Sequence, residues 1–286
     1  MFSLKSAYIP KKYNYRSEYF DLNSGINFLS SQYEDLNKID FALLGKYKDY
    51  LEKEKKFHNN ADALIIINDI KKFLLEYNDA LARIQWALKK ARKGSYGEDK
   101  VKEIVYTFND EWKVIENATL NVEDNKIEND FLIIDESGVS TIEVKNIGNK
   151  YEKLVIDNLG RVSRLNKFNT EIDAFDMIAQ SNRHLGYLKK YIDGHFKFKV
   201  PVNTIIVMAS NIRIENKSDF KIYGPNQIFK EIKKQTPILN KEQIDFVYKE
   251  LLETIVPGTK YPYINYNDKL KDNYTLILKS LSELLM

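Results

Sequence analysis

The run Asn129-Asp130-Phe131-Leu132-Ile133-Ile134-Asp135-Glu136-Ser137-Gly138-Val139-Ser140-Thr141-Ile142-Glu143-Val144-Lys145-Asn146 constrains the fold more than any other stretch of the chain. Two apolar, β-branched segments flank a Glu-Ser-Gly turn signal, which is the pattern of a β-hairpin. Side chains alternate faces along a strand, so Glu143 and Lys145 project together while Ile142 and Val144 point the other way. Asp130, at the start of the preceding strand, brings a second carboxylate to the same place when the hairpin twists. Two carboxylates and a lysine at strand ends suit a divalent metal that activates water.

The surrounding chain narrows the chemistry further. With 286 residues, 43% of them hydrophobic and 13% aromatic, it can bury the core of one large domain or two modest ones. No stretch has the length and apolarity of a bilayer span, and Met1-Phe2-Ser3-Leu4-Lys5 lacks the apolar run of a signal peptide. The expectation is a soluble, cytoplasmic protein without a membrane partner. There is no cysteine, which excludes disulfides, thiolate metal sites and cysteine nucleophiles. His58, His184 and His195 show no metal-ligand spacing, so any metal must be held by oxygen. The net charge of +3 is unevenly spread: residues 1–93 carry 17 Lys and Arg against 12 Asp and Glu, leaving 27 against 29 in the remainder. The part with the hairpin is therefore not basic overall, as expected where acidic ligands and local basic contacts coexist.

Residues 1–27 show no sustained period. From Tyr33 to Leu51 apolar residues recur at helical steps, and His58-Asn59-Asn60 breaks the pattern. A cleaner helix follows: Ala63, Ile70, Tyr77, Ile84 and Ala91 are seven apart, with Ile66/Ile67, Phe73/Leu74, Ala80/Leu81 and Ala87/Leu88 in the alternate seam. Four heptads predict a helical hairpin or coiled-coil arm, a packing or dimerisation element. Lys89, Lys90, Arg92 and Lys93 at its end also make it a candidate clamp on nucleic acid, although cations there would equally complement the helix dipole. Gly94-Ser95-Tyr96-Gly97 reads as a break before a new helix striped by Val101, Ile104, Val105 and Phe108. Glu98 shares that inward stripe, besides complementing the expected helix N-terminus.

Strands are predicted over 112–120, 131–135, 139–146, 153–157 and 161–165, then a helix over 171–192 with Gln180, Arg183, His184 and Tyr187 on one face. A buried strand over 203–210, short strands over 212–215 and 220–223, and helices around 228–234, 242–254 and 270–285 complete a mixed α/β layered fold. Asp135 ends the same strand as Asp130 and falls in the turn, so it reads as a turn residue. His184 alone reads as a packing or surface histidine.

Three groups of residues together resemble the nuclease-related domain (NERD) family, a branch of the PD-(D/E)xK nuclease superfamily. They are Gly94-Ser95-Tyr96-Gly97-Glu98, the run from Ile127 to Asn146, and Gln180-Ser181-Asn182-Arg183-His184-Leu185. The resemblance spans roughly residues 91–223. Where the family usually has isoleucine and histidine around its aspartate, this chain has Asn129 and Phe131, departures that spare the charged positions.

The resemblance implies a restriction-endonuclease-like mixed sheet flanked by helices, preceded by the N-terminal helical hairpin. The expected segments are an arm over 1–93, a nuclease domain over 94–225, and a C-terminal helical extension packing on it over 226–286. It makes Glu98 the helical acid, Asp130 the metal-binding aspartate, Glu143 and Lys145 the acid-x-lysine pair, and Gln180 the glutamine of the following helix. Asp130, Glu143 and the Val144 carbonyl would then hold Mg²⁺ or Mn²⁺, with Glu98 completing the shell. Lys145 would orient water or meet developing charge, and Gln180 with Arg183 would position water or phosphate. The implied activity is hydrolysis of DNA, with RNA as an alternative substrate, serving antiviral defence or DNA processing. The non-enzymatic alternative is a silent nuclease fold that binds nucleic acid or assembles proteins. A double-strand cut would call for a homodimer, for which the arm is the candidate interface.

Overall fold

The computed structural model describes residues 15–108, 112–123, 125–150 and 152–286. Met1 to Lys5, on which the absence of a signal peptide was read, lie outside them. In chain order the elements are β1 (Arg16–Phe20), α1 (Leu22–Asn37), α2 (Phe41–Lys53), α3 (Ala61–Thr107), β2 (Lys113–Val122), β3 (Asn125–Asp135), β4 (Gly138–Lys145), β5 (Lys153–Ile156), β6 (Val162–Leu165) and β7 (Glu171–Phe175). Then come α4 (Met177–His195), β8 (Val202–Met208), β9 (Arg213–Asn216), β10 (Ile222–Tyr223), α5 (Ile228–Ile232), α6 (Lys241–Glu253), β11 (Tyr261–Asn265) and α7 (Asn267–Leu285). They group into two compact units. Lys93–Thr259 forms one, and among the described residues Tyr15–Arg92 joins Lys260–Met286 in the other. The expected C-terminal extension thus divides: α5 and α6 belong with the sheets, whereas β11 and α7 belong with the N-terminal helices.

In the helical unit, polar side chains set the helix starts. Asp21 accepts from Ser24 N at 2.9 Å, Asp40 from Leu43 N at 2.9 Å, and Asn60 from the N–H groups of Asp62 and Ala63, so the predicted break at residues 58–60 is where α3 begins. Ala63, Ile70, Tyr77 and Ile84 of the heptad seam are all but inaccessible, packed with Leu29 and Leu36 of α1, Leu44 and Leu51 of α2, and Leu270, Ile277 and Leu281 of α7. The seam is covered by the chain's own helices and is not a surface left for a second copy. Residues 16–20, which showed no period, form an edge strand against β11, with Arg16 opposite Asn265 and Phe20 opposite Tyr261.

The second unit carries a five-stranded sheet in the order β10-β8-β4-β3-β2 and a four-stranded one in the order β7-β6-β5-β9. Strands β2, β3 and β4 form an antiparallel meander, while β8 lies parallel to β4 and β10 parallel to β8. Leu132 and Ile134 point from β3 into a core with Leu188 and Ile192 of α4 and Val247 and Leu251 of α6. Phe131 and Ile133 point the other way, onto Val101 and Val105 of α3 and Ile228 and Ile232 of α5. Apolar residues on both faces of β3 and β4 are what a sheet covered by helices on both sides requires. This is the expected mixed sheet flanked by helices.

Two local expectations fail for tertiary reasons. Residues 171–175 are not the start of a helix but strand β7, paired with β6 through Val162↔Phe175 and Ser163↔Ala174, and α4 starts only at Met177. Nor do Gly94 and Gly97 break the helix: α3 continues for 47 residues to Thr107. Lys89 to Lys93 therefore lie inside a helix, not at its end, and dipole complementation does not explain them. Gly97 is buried because the Asn146 side chain packs where a Cβ would stand, and Asn146 Nδ2 donates to the Lys93 carbonyl at 2.6 Å. A glycine that costs a helix about 1 kcal/mol relative to alanine is kept here for close approach.

These observations make two predictions. Gly94 has no atom near a notional Cβ, so Gly94→Ala is expected to stabilise by about 0.5–1 kcal/mol, whereas Gly97→Ala meets Asn146 and destabilises despite the same propensity gain. Unfolding midpoints measured by circular dichroism should move in opposite directions. In the helical unit, Glu76 is 3% exposed and, among the described residues, neither carboxylate oxygen has a hydrogen-bond partner, a cost of about 1–3 kcal/mol or more. Glu76→Met keeps length and helix propensity and should raise the midpoint.

Candidate active site

The ladder between β3 and β4 runs from Asp135↔Gly138 to Phe131↔Ile142 and then opens. Register with β2 also skips one pair, passing from Glu116↔Phe131 to Ala118↔Asn129, and the skipped Asn117 has φ 48° in the left-handed region that asparagine tolerates. Asp130 is the residue left between these irregularities. It lies within β3, not at its start, because β3 begins at Asn125. Its Oδ2 accepts from Val144 N at 2.6 Å, taking the place of a ladder carbonyl. In an extended strand the N–H and C=O of one residue point to the same side, so the Val144 carbonyl also faces β3, while the Lys145 carbonyl faces away and accepts from Ala209 N.

Glu143 and Lys145 share the sheet face covered by α4, as their alternation predicts. The Lys145 ammonium donates to Glu143 Oε1 and, at 3.2 Å, to Gln180 Oε1 in the first turn of α4. One turn further on, His184 Nδ1 lies 3.3 Å from Glu143 Oε2, an ion-pair distance without hydrogen-bond alignment. Glu143 is thus almost fully buried, with a cationic or polar group at each oxygen. Burial works against its charge, but His184 and Lys145 outweigh that and hold its carboxyl below the usual range.

Burial, followed by the charge of Glu143, pushes the Asp130 carboxyl up to about 8, against the pull of the Val144 N–H. Glu98, half-buried on α3, is raised by burial and then by Asp99 and Glu128, with Glu143 adding to the effect and Lys145 opposing it. Glu98, Asp130, Glu143 and Lys145 therefore share one electrostatic environment. Because α3 is continuous, Glu98 is not a first-turn residue, and complementing a helix N-terminus does not account for it.

The other sequence candidates lie elsewhere. Arg183 is exposed and pairs with Asp176 at 3.5 Å. Lys89, Lys90 and Arg92 belong to the helical unit, and Lys93 donates to the Gly148 carbonyl. Asp135 serves the turn, accepting from Ser137 N at 2.9 Å and Ser137 Oγ at 2.5 Å. The sequence reading passed over two residues at the site: His184, four after Gln180 on the same helical face, and Glu128, two before Asp130 on the same strand face.

Among the described residues no group of three His, Asp or Glu side chains is arranged to hold an ion by itself. The donor chemistry nevertheless fits a hard cation: the Asp130 and Glu143 carboxyls and the Val144 carbonyl lie close together, and a cation there would oppose the burial and the Glu143 charge that raise the Asp130 carboxyl. Mg²⁺ commonly uses one or two carboxylates and keeps several waters, so it does not need a preformed cage.

The Asp130 shift has a sign that can be tested without metal. A carboxyl whose pKa rises from 3.8 to about 8 on folding contributes stability that is complete below the unfolded value and is lost as pH climbs through the folded one. Asp130→Asn removes that dependence. In EDTA its unfolding midpoint should match the wild type near pH 4 and exceed it increasingly up to about pH 8.

No curated protein and no solved structure matched the chain. One family model did, and its span takes in Glu98, Asp130, Glu143, Lys145, Gln180 and His184: residues 93–209 match the nuclease-related domain, NERD.

Proposed function

We propose that this chain is a metal-dependent nuclease that hydrolyses phosphodiester bonds of DNA. The observation that carries the reading is the convergence of Asp130, Glu143, Lys145 and Gln180 on one sheet face, inside the segment matched by the nuclease-related domain. Asp130, Glu143 and the Val144 carbonyl are the residues that would hold Mg²⁺ or Mn²⁺, with Glu98 contributing directly or through water. When bound, the ion lowers the pKa of water and neutralises phosphate charge. Lys145, held between Glu143 and Gln180, orients the attacking water or stabilises charge on the phosphorus, a contribution worth several kcal/mol. Gln180 holds the Lys145 ammonium, and Arg183, on release from Asp176, would meet a backbone phosphate. The same chemistry acts on RNA. Such an activity fits defence against foreign DNA or the processing of the cell's own.

A second reading, a silent nuclease fold that binds nucleic acid or assembles proteins without cutting, draws on the fact that both Glu143 oxygens already have side-chain neighbours. One experiment separates the two. Supercoiled plasmid and labelled single-stranded DNA and RNA are incubated with wild type and Lys145→Ala in Mg²⁺, Mn²⁺ or EDTA. Nicking that needs metal and falls by about 10²-fold or more in the variant supports the nuclease. Full activity in EDTA would sink the metal scheme, and binding without cleavage would favour the silent module.

A further inference from the structure

We propose that the helical unit holds a separate binding site for the phosphate group of a nucleotide, in the groove between α1 and α3. The groove is a cavity of about 450 Å³ lined by Ser30, Tyr33 and Glu34 of α1 and by Gln85, Leu88, Lys89 and Arg92 of α3. This size lies within the usual range for small-molecule sites. Two hydrogen bonds between the helices brace it. Gln85 Nε2 donates to the Tyr33 hydroxyl at 2.8 Å and Arg92 Nη2 to Ser30 Oγ at 3.0 Å, two helical turns apart on α3.

The donors facing this groove exceed what the protein uses. Among the described residues Lys89 has no ion-pair or hydrogen-bond partner, and Arg92 spends one nitrogen on Ser30. The Tyr33 hydroxyl accepts from Gln85 and retains its proton for donation. Lys89 and Arg92 stand at i and i+3 on one helix, where like charges repel. Glu34, the one acid lining the groove among the described residues, pairs there with neither. An ammonium, a guanidinium already oriented by Ser30, and a phenol form a donor set for a phosphate oxyanion, the guanidinium giving the stronger, directional bonds. The space left beside a phosphate, walled by the Tyr33 ring and the buried Leu88, suits the rest of a nucleotide.

The same phosphate chemistry is found on a free nucleotide and on a nucleic-acid strand, and the test distinguishes them. The full chain is titrated calorimetrically with inorganic phosphate, adenosine monophosphate and a short oligothymidylate, and its unfolding midpoint is followed at each concentration. Lys89→Glu reverses a charge without removing a protein contact. Arg92→Gln removes the fork, and Lys72→Gln removes a charge from α3 outside the groove. Saturable binding of the mononucleotide, weakened about tenfold or more by Lys89→Glu and Arg92→Gln but not by Lys72→Gln, supports the site and a free ligand. Tighter binding of the oligonucleotide with the same pattern of loss supports the site and assigns it to a strand. No saturable binding of any probe by the wild type, or a Lys89→Glu protein that binds as the wild type does, overturns the proposal.

Discussion

The hydrogen bond from the Val144 N–H to the Asp130 carboxylate decides how the candidate site is built. It replaces a backbone ladder bond with one to a side-chain carboxyl oxygen, which keeps the buried Val144 donor paired. The strands can therefore part at this point while the N–H remains satisfied. The opening leaves Asp130 outside the register on both sides, with Asn117 absorbing the irregularity on β2 through its left-handed backbone. It also points the Val144 carbonyl toward the same gap. An unbroken ladder would have used these groups for sheet structure.

The apolar residues on either side make this opening tolerable. Phe131, Ile133, Ile142 and Val144 anchor one face of β3 and β4 on α3 and α5, while Leu132 and Ile134 anchor the other on α4 and α6. Glu143 and Lys145 follow from the same alternation. Once Ile142 and Val144 face α3, the two charged residues must face α4, where Gln180 and His184 lie one helical turn apart. Burying Glu143 without partners would be costly. Lys145 and His184 offset that cost, whereas the Val144 N–H and the more distant Lys145 do not outweigh the burial of Asp130.

The parts of this arrangement that depend on local pattern were legible in the sequence. The two apolar, β-branched runs around Glu136-Ser137-Gly138 showed the hairpin, the alternation of side chains along a strand showed the shared face of Glu143 and Lys145, and the heptads from Ala63 showed the helix and its buried seam. What depends on distant contacts was hidden. Glycines at 94 and 97 look like punctuation until Asn146 is seen to pack against Gly97. Glu171 to Phe175 cannot declare itself a strand without β6 beside it. The edge strand at Arg16–Phe20 acquires its structure from residues nearly 250 positions away. His184 was readable as a neighbour of Gln180, but only the fold places its imidazole against Glu143.

The electrostatics of the two acids also bear on why lysine, and not arginine, fits position 145. Its ammonium must reach Glu143 on its own strand and Gln180 on α4 at once. A compact charge with three rotatable donors can divide itself in that way, whereas a planar guanidinium would favour a bidentate grip on Glu143 alone. A bidentate grip would claim both Glu143 oxygens and leave the carboxylate less able to serve a cation shared with Asp130. With lysine, one Glu143 oxygen is bonded by the ammonium and the other is met only by an unaligned imidazole. That second oxygen is the more readily released. The Asp130 carboxyl, raised by its burial and by Glu143, and the loosely held oxygen of Glu143 thus lie on the same face of the sheet, where a hard cation would satisfy both.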